Sequence, residues 1–122
     1  MWSNHKMDCS VTEKNNATIV QINGELDVAN AMEISDYLTG LFKKFPKRVI
    51  LNLEAVNYIA SSGLAMLVSA LKKSKETRVP FAICGLSPLA KKAVEMTTLH
   101  EILPIYTDVS EALKKLEEKQ VD

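Results

Sequence analysis

The chain has 122 residues, 47% of them hydrophobic, and its 15 basic and 15 acidic side chains cancel at neutral pH. This length allows one hydrophobic core and excludes two ordinary domains, so we expect a single domain with a core over about residues 7–117 and short mobile ends. The balanced charge gives no electrostatic reason to expect broad binding to nucleic acid or to an anionic membrane.

The first predicted elements are a β-hairpin and a helix. β-branched residues within 8–12 and 18–22 predict two strands, because a polar cluster at residues 13–16 separates them as a turn. Apolar residues at helical spacing then predict a helix over residues 31–45, and Pro46 follows the end of that pattern.

The next segment joins a buried strand to a helix through two serines. The continuous apolar run at residues 49–53 predicts a strand that is covered on both faces. After a break of small residues, one helical face is formed by Leu64, Leu67, Val68 and Leu71. Ser61 and Ser62 stand at the start of this helix, where either serine, and Ser62 above all, is suited to be the N-cap. Gly63 leaves space there for a close approach.

The last third of the chain predicts two further strands and a helix between them. Residues 79–84 have the pattern of an internal strand. Ser87 and Pro88 then supply an N-cap and a first-turn proline for a helix through about residue 96. A short extended segment is expected near residues 105–106.

A final helix is predicted by its capping signature. Asp108 and Glu111 have the spacing of a capping box. The buried stripe of this helix is predicted at Val109, Ala112, Leu113 and Leu116. The tail over residues 117–122 is expected to fray.

This order of strands and helices predicts the α/β class. We expect one mixed, mostly parallel sheet of about four to five strands, packed with about four helices. Right-handed crossovers place the carboxyl ends of parallel strands at one rim, which ligand and partner sites favour. The loops that hold Ser61 and Asp27 are therefore expected to share an exposed surface at this rim.

Two motifs resemble those of a known family. Residues 52–65 read NLEAVNYIASSGLA and residues 22–27 read INGELD. Their order and approximate spacing are similar to those of STAS domains, specifically the bacterial anti-sigma factor antagonists. The resemblance implies a single STAS-like domain over nearly the whole chain. In that family the first serine of the pair is phosphorylated by a partner kinase that is also the anti-sigma factor, which implies phosphorylation of Ser61.

The resemblance also implies a surface for protein partners. The implied partner-binding residues are Asp27, Ser61, Ser62, Gly63 and Leu64. The implied partners are the serine-kinase anti-sigma factor and a phosphatase, and a sigma factor would be released by partner exchange. The sequence leaves the oligomeric state open.

Simpler interpretations stay open beside this one. Ser61 and Ser62 would then only cap their helix, and Asp27 would only cap the helix at residue 31 or turn the chain. Ala60 and Ala65 stand where the family commonly has an acidic residue and a glycine. The alternative function is a constitutive adaptor subunit, for example of a lipid-transport ABC complex, in which the serine loop is a docking surface.

The sequence does not favour an enzyme or a membrane-spanning protein. His5 and His100 have no recognisable nucleophile or metal ligand at useful spacing, and no phosphate-binding glycine motif occurs. No apolar run approaches the roughly 20 residues that span a bilayer, and residues 1–10 lack the apolar core of a signal peptide. We therefore expect a cytoplasmic protein without a cofactor or metal, in which Cys9 and Cys84 are reduced thiols.

Overall fold

The structure is a computed structural model that describes residues 9–119. Three expectations fall on residues 1–8 and 120–122 and lie outside the described residues. They concern the mobile ends, the strand position of Asp8 and the surroundings of His5.

Five strands in the described part of the chain form one mixed sheet in the order β1-β2-β3-β4-β5. β1 is antiparallel to β2, and the other neighbouring strands are parallel. The strands are β1 (Cys9–Lys14), β2 (Ala17–Leu26), β3 (Val49–Ile59), β4 (Phe81–Cys84) and β5 (Ile105–Tyr106). The helices are α1 (Ala31–Phe42), α2 (Ser61–Thr77), α3 (Pro88–Glu95) and α4 (Val109–Lys119), with a 3₁₀ helix at Thr98–Glu101. This architecture confirms the predicted α/β class and the mixed, mostly parallel sheet.

Helices cover the sheet on both faces. α1, α2 and α3 pack on one face, and the centre of this larger core is formed by Val20, Ile22, Leu38, Phe42, Leu51, Leu53, Leu67 and Ile83. α4 covers the other face, and the smaller core beneath it is formed by Ala17, Ile19, Ile50, Ala82, Cys84, Ala112 and Leu116. β3 thus contributes to both cores, which confirms the prediction from its continuous apolar run.

β2 and β3 extend further than their apolar patterns predicted. β2 continues to Leu26 rather than residue 22, and β3 continues to Ile59 rather than residue 53. Two register shifts interrupt their pairing, one after Gln21 and one after Gly24. Such bulges break the alternation of apolar and polar residues from which a strand is predicted. The INGELD motif is therefore strand as far as Leu26, and the turn begins at its last residue, Asp27.

α1 ends at Phe42 rather than at the predicted residue 45. Proline disfavours the helical conformation of the residue before it, so Phe45 does not continue the helix into Pro46. Phe45 has a φ of 55° and is 69% exposed. The predicted helix was therefore too long by three residues.

The predicted starts of α3 and α4 are confirmed by their hydrogen bonds. Ser87 Oγ accepts a bond from the backbone N–H of Ala90 at 3.2 Å. Asp108 Oδ1 accepts one from the N–H of Glu111 at 2.9 Å. The Glu111 carboxylate accepts the N–H of Thr107 at 2.6 Å, one residue further back than in a standard capping box. α4 also continues past residue 117, where fraying was predicted.

Candidate functional site

The loops that hold Asp27 and Ser61 are neighbours at the carboxyl edge of the sheet. The last residue pair between the parallel strands β2 and β3 is Leu26 with Ile59. Just beyond this pair, the backbone N–H of Ala60 donates to the carbonyl oxygen of Leu26 at 2.8 Å. The two strands therefore deliver both loops to one surface, as their parallel direction requires.

Ser61 is the first residue of α2, and it is exposed. The N-cap position belongs to Ala60, which has an extended backbone and makes no capping bond through its side chain. The prediction that Ser61 or Ser62 is the N-cap is therefore wrong, because β3 runs on to Ile59 and leaves a single residue before α2. Both serines lie in the first turn, where backbone N–H groups lack acceptors within the helix.

Ser62 differs from Ser61 because its hydroxyl faces inward. Its Oγ is buried and has no hydrogen-bond partner among the described residues. A buried hydroxyl without a partner costs about 1–3 kcal/mol. Of the two serines, Ser61 is the exposed one.

Two large apolar side chains lie exposed beside these serines. Val28 is 82% exposed and Met32 is 74% exposed. They border a groove of about 300 Å³ between α1 and α2, which is completed by Ala31, Ser35, Ser62, Ala65 and Met66. Val28 and Met32 were not predicted as site residues from the sequence. An exposed apolar patch beside a loop indicates an interaction surface.

The elements that build this surface contain no basic residue near it. Residues 15–42 and 49–71 include no lysine or arginine. The acidic residues of these segments are Glu25, Asp27, Glu33, Asp36 and Glu54. No side-chain cation of these segments therefore offsets a negative charge at Ser61.

Gly63 and Leu64 pack against the protein itself. Gly63 is buried, and a β-carbon on it would lie 2.7 Å from the carbonyl oxygen of Leu26. Leu64 is half-buried and packs against the larger core. The close approach for which Gly63 leaves space is therefore made by the end of β2. A contact of Gly63 or Leu64 with a partner stays a prediction from the resemblance.

Replacing Gly63 with alanine should lower the free energy of unfolding by about 1–3 kcal/mol, because the added methyl group forces α2 away from β2. Alanine favours a helix over glycine by about 1 kcal/mol, which offsets only part of this loss. Gly40→Ala in α1 is the matched control, because its added β-carbon meets nothing within 4 Å. Urea denaturation should show a destabilised Gly63 variant and an unchanged or stabilised Gly40 variant. Equal stability of the two variants would contradict the close packing.

Asp27 turns the chain and does not cap α1. Its Oδ1 accepts the N–H of Ala29 at 2.9 Å, and its carbonyl oxygen accepts the N–H of Ala31 at 2.8 Å. The N-cap position is held by buried Asn30, whose Nδ2 donates to the Glu25 carbonyl oxygen at 2.7 Å. Asn30 Oδ1 also accepts the N–H of Asp27 at 3.0 Å. Asn30 was not identified from the sequence, although an asparagine directly before a helix was its signal.

The thiols and the described histidine lie outside this surface. Cys9 and Cys84, the two cysteines of the described residues, are not joined in a disulfide. Burial, with smaller effects from Glu54 and Asp108, raises the pKa of the Cys84 thiol to about 12, so its thiolate is scarce at neutral pH. His100 Nδ1 lies 2.8 Å from the carbonyl oxygen of Thr97, within its own turn.

Residues 9–119 lack two further features. This part of the chain contains no group of three or more His, Cys, Asp or Glu residues that is placed to hold a metal ion. None of its helices combines the length and the apolar character that crossing a bilayer requires.

Comparison with models of protein families shows the family of this chain. A family model described as the STAS domain matches residues 8–112. The chain therefore belongs to the STAS domain family, which confirms the resemblance carried by its two motifs.

Individual relatives indicate the branch of this family. The anti-sigma-B factor antagonist of Staphylococcus aureus (strain NCTC 8325 / PS 47) is 30% identical over 86 residues, which cover 70% of this chain and 80% of that protein. The crystal structure of an anti-sigma factor antagonist from Mycobacterium paratuberculosis matches with a TM-score of 0.82 at 22% identity, covering 96% of this chain and 99% of that chain. The Bacillus cell fate determinant SpoIIAA in its phosphorylated form matches with a TM-score of 0.65 at 18% identity, covering 89% and 99%. The Staphylococcus aureus relative and the Mycobacterium paratuberculosis structure are thus both named as anti-sigma factor antagonists.

Proposed function

We propose that this protein is an anti-sigma factor antagonist that binds a kinase-type anti-sigma factor and releases a sigma factor by partner exchange. The unmodified protein binds its partner, and phosphorylation of Ser61 prevents binding. The observation that carries this proposal is the exposed Ser61 at the start of α2, next in the chain to Ser62, which lines the groove bordered by the exposed Val28 and Met32. The partner kinase brings ATP and magnesium in the cytoplasm, this chain is its substrate, and a phosphatase reverses the modification.

A phosphate on Ser61 suits the folded state. It adds about −1.5 to −2 charge at neutral pH. In the first turn of α2 this charge meets backbone N–H groups without helical acceptors and the positive end of the helix dipole. The domain therefore need not rearrange, and the phosphate acts on the partner instead.

The apolar groove supplies the attraction that the phosphate opposes. Burial of Val28 and Met32 under a partner removes apolar surface from water, which favours the complex. A phosphate on the neighbouring Ser61 must lose its water in the same step, which disfavours the complex. One covalent group can therefore control the affinity without any change of fold.

A constitutive adaptor subunit, for example of a lipid-transport ABC complex, is the second candidate. Ala60 favours it, because the residue before Ser61 offers a kinase no charge and no side-chain acceptor. In this case Asp27, Ser61 and the exposed apolar side chains would bind a partner permanently, without control by phosphorylation.

Incubation with the cognate kinase and ATP tests the proposal. Mass spectrometry should find one added phosphate, located on Ser61. Ser61→Ala should abolish the incorporation, whereas Ser62→Ala, which removes the neighbouring buried hydroxyl, should retain it. Incorporation that persists in Ser61→Ala would contradict the proposal. A stable complex without any incorporation would favour the adaptor.

A further inference from the structure

The zero net charge of the chain conceals a separation of charge along the sheet. Residues 13–18, 43–49 and 72–80 lie at the amino edge of the parallel strands, opposite Ser61. These segments carry nine basic residues and two acidic ones. The basic residues, here called the basic pole, are Lys14, Lys43, Lys44, Lys47, Arg48, Lys72, Lys73, Lys75 and Arg78.

Hydrogen bonds hold the three segments of the basic pole together. The N–H of Val49 donates to the carbonyl oxygen of Pro80 at 2.9 Å. The N–H of Thr18 donates to the carbonyl oxygen of Arg48 at 2.9 Å. Arg48 Nη1 donates to the carbonyl oxygen of Asn15 at 2.8 Å. The β1–β2 turn, the loop after α1 and the end of α2 therefore lie side by side.

Acidic side chains of the described residues also lie near the basic pole. Glu76 pairs with Lys73 at 2.9 Å, and Glu13 accepts a hydrogen bond from the Thr18 hydroxyl at 2.7 Å. Glu117 of α4 lines a cavity at the same end of the sheet. Within the three segments themselves, nine basic side chains face two acidic ones, so these described segments carry a net positive charge.

Apolar side chains are exposed within the same pole. Phe45 is exposed in the loop KKFPKR, where basic pairs flank it on both sides, and its left-handed backbone directs the chain away from α1. Near Arg78, the exposed Ile102 borders a hollow of about 350 Å³ that is also lined by Leu71 and Phe81. Cationic and apolar groups are therefore presented together.

We propose that the basic pole binds the surface of an anionic lipid bilayer, with its lysines among the headgroups and Phe45 at the boundary with the acyl chains. Clusters of four to eight basic residues attract anionic headgroups, and apolar side chains on such a surface enter the interface. Seven of the nine basic residues are lysines, whereas bidentate contacts to nucleic acid favour arginine. The exposed apolar side chains likewise favour lipid over nucleic acid as the occupant.

Binding to a bilayer through the basic pole leaves Ser61 accessible. β3 has 11 residues, so about 35 Å of strand separates the basic pole from the edge that holds Ser61. Ser61 then faces away from the bilayer, where a protein partner can reach it. Membrane binding and partner binding therefore use separate surfaces.

Co-sedimentation of the full chain with lipid vesicles tests the proposal. Vesicles of equal parts phosphatidylglycerol and phosphatidylcholine should bind the protein at low salt, and binding should fall as the salt concentration rises. Pure phosphatidylcholine vesicles should not bind it. Lys43→Gln/Lys44→Gln should weaken binding about 30-fold, since each lysine near an anionic surface contributes a roughly fivefold factor. Phe45→Asn, which tolerates the left-handed conformation, should also weaken binding.

Lys91→Gln/Lys92→Gln is the matched control, because it removes two exposed lysines of α3 outside the basic pole. This variant should bind like the wild type. Equal weakening of the control, or no binding of the wild type to the anionic vesicles, would overturn the proposal. Preferential binding of an oligonucleotide that depends on Lys43 and Lys44 would assign the pole to nucleic acid and would also overturn it.

Discussion

Replacing Ser61 with glutamate should lower the affinity of the protein for its anti-sigma factor by more than a hundredfold. The permanent charge stands in for the phosphate on the surface where the partner binds, and it must lose water as the complex forms. A loss on the order of 3 kcal/mol corresponds to this change, because each 1.4 kcal/mol is a factor of ten. Isothermal titration calorimetry with the purified partner measures it.

Ser69→Glu is the matched control for this experiment. Ser69 is exposed on α2 as well, but it lies about two turns from the helix start. This variant should bind as tightly as the wild type. An acid in the first turn interacts favourably with the helix dipole, so the melting temperature of Ser61→Glu should not fall. Undiminished binding of Ser61→Glu would contradict the phosphorylation switch.

Replacing Met32 with aspartate should lower the same affinity about 30-fold or more. Met32 is 74% exposed in the free protein, so the change removes little from the core and leaves stability nearly unchanged. In the complex, the aspartate would place a charge where an apolar side chain should be buried. Central interface residues contribute about 2 kcal/mol or more, which corresponds to a 30-fold change in affinity. Surface plasmon resonance with the immobilised partner measures it.

Met96→Asp controls for the loss of an exposed methionine. Met96 is 78% exposed at the end of α3, outside the α1–α2 groove. Its replacement should leave partner binding unchanged. If both aspartate variants bound equally well, the groove would not be part of the interface, whereas the role of Ser61 would still be tested by its own variant.

The two predictions depend on Ser61 and Met32. The sequence predicts the position of Ser61 in the fold, but it says little about the exposure of Met32. Ser61 stands in a motif between a buried strand and an amphipathic helix, so its place at a strand–helix junction could be predicted. Met32 carries no motif. Its only signal was that it falls off the stripe formed by Ala31, Ile34 and Leu38, which is the buried side of α1. Val28 lies before the helix, where no periodicity applies.

The helix starts also differ in whether the sequence alone could predict them. The caps of α3 and α4 depend on residues within four positions of one another, so Ser87 and Asp108 were predicted correctly. The start of α2 depends instead on where β3 ends, which is decided by its pairing with β2 through residues more than 30 positions away. The N-cap was therefore assigned to a serine, although it is Ala60.

The sequence by itself determined the α/β class, the order of nearly all elements and the motif that holds Ser61, because these depend on spacing between near neighbours in the chain. Only the tertiary structure decided that Gly63 lies against Leu26, that Met32 is exposed and that nine basic residues gather at one end of a neutral protein. The physical reason is that burial and electrostatic potential depend on distances in space. Those distances are set when separate segments pack on one sheet.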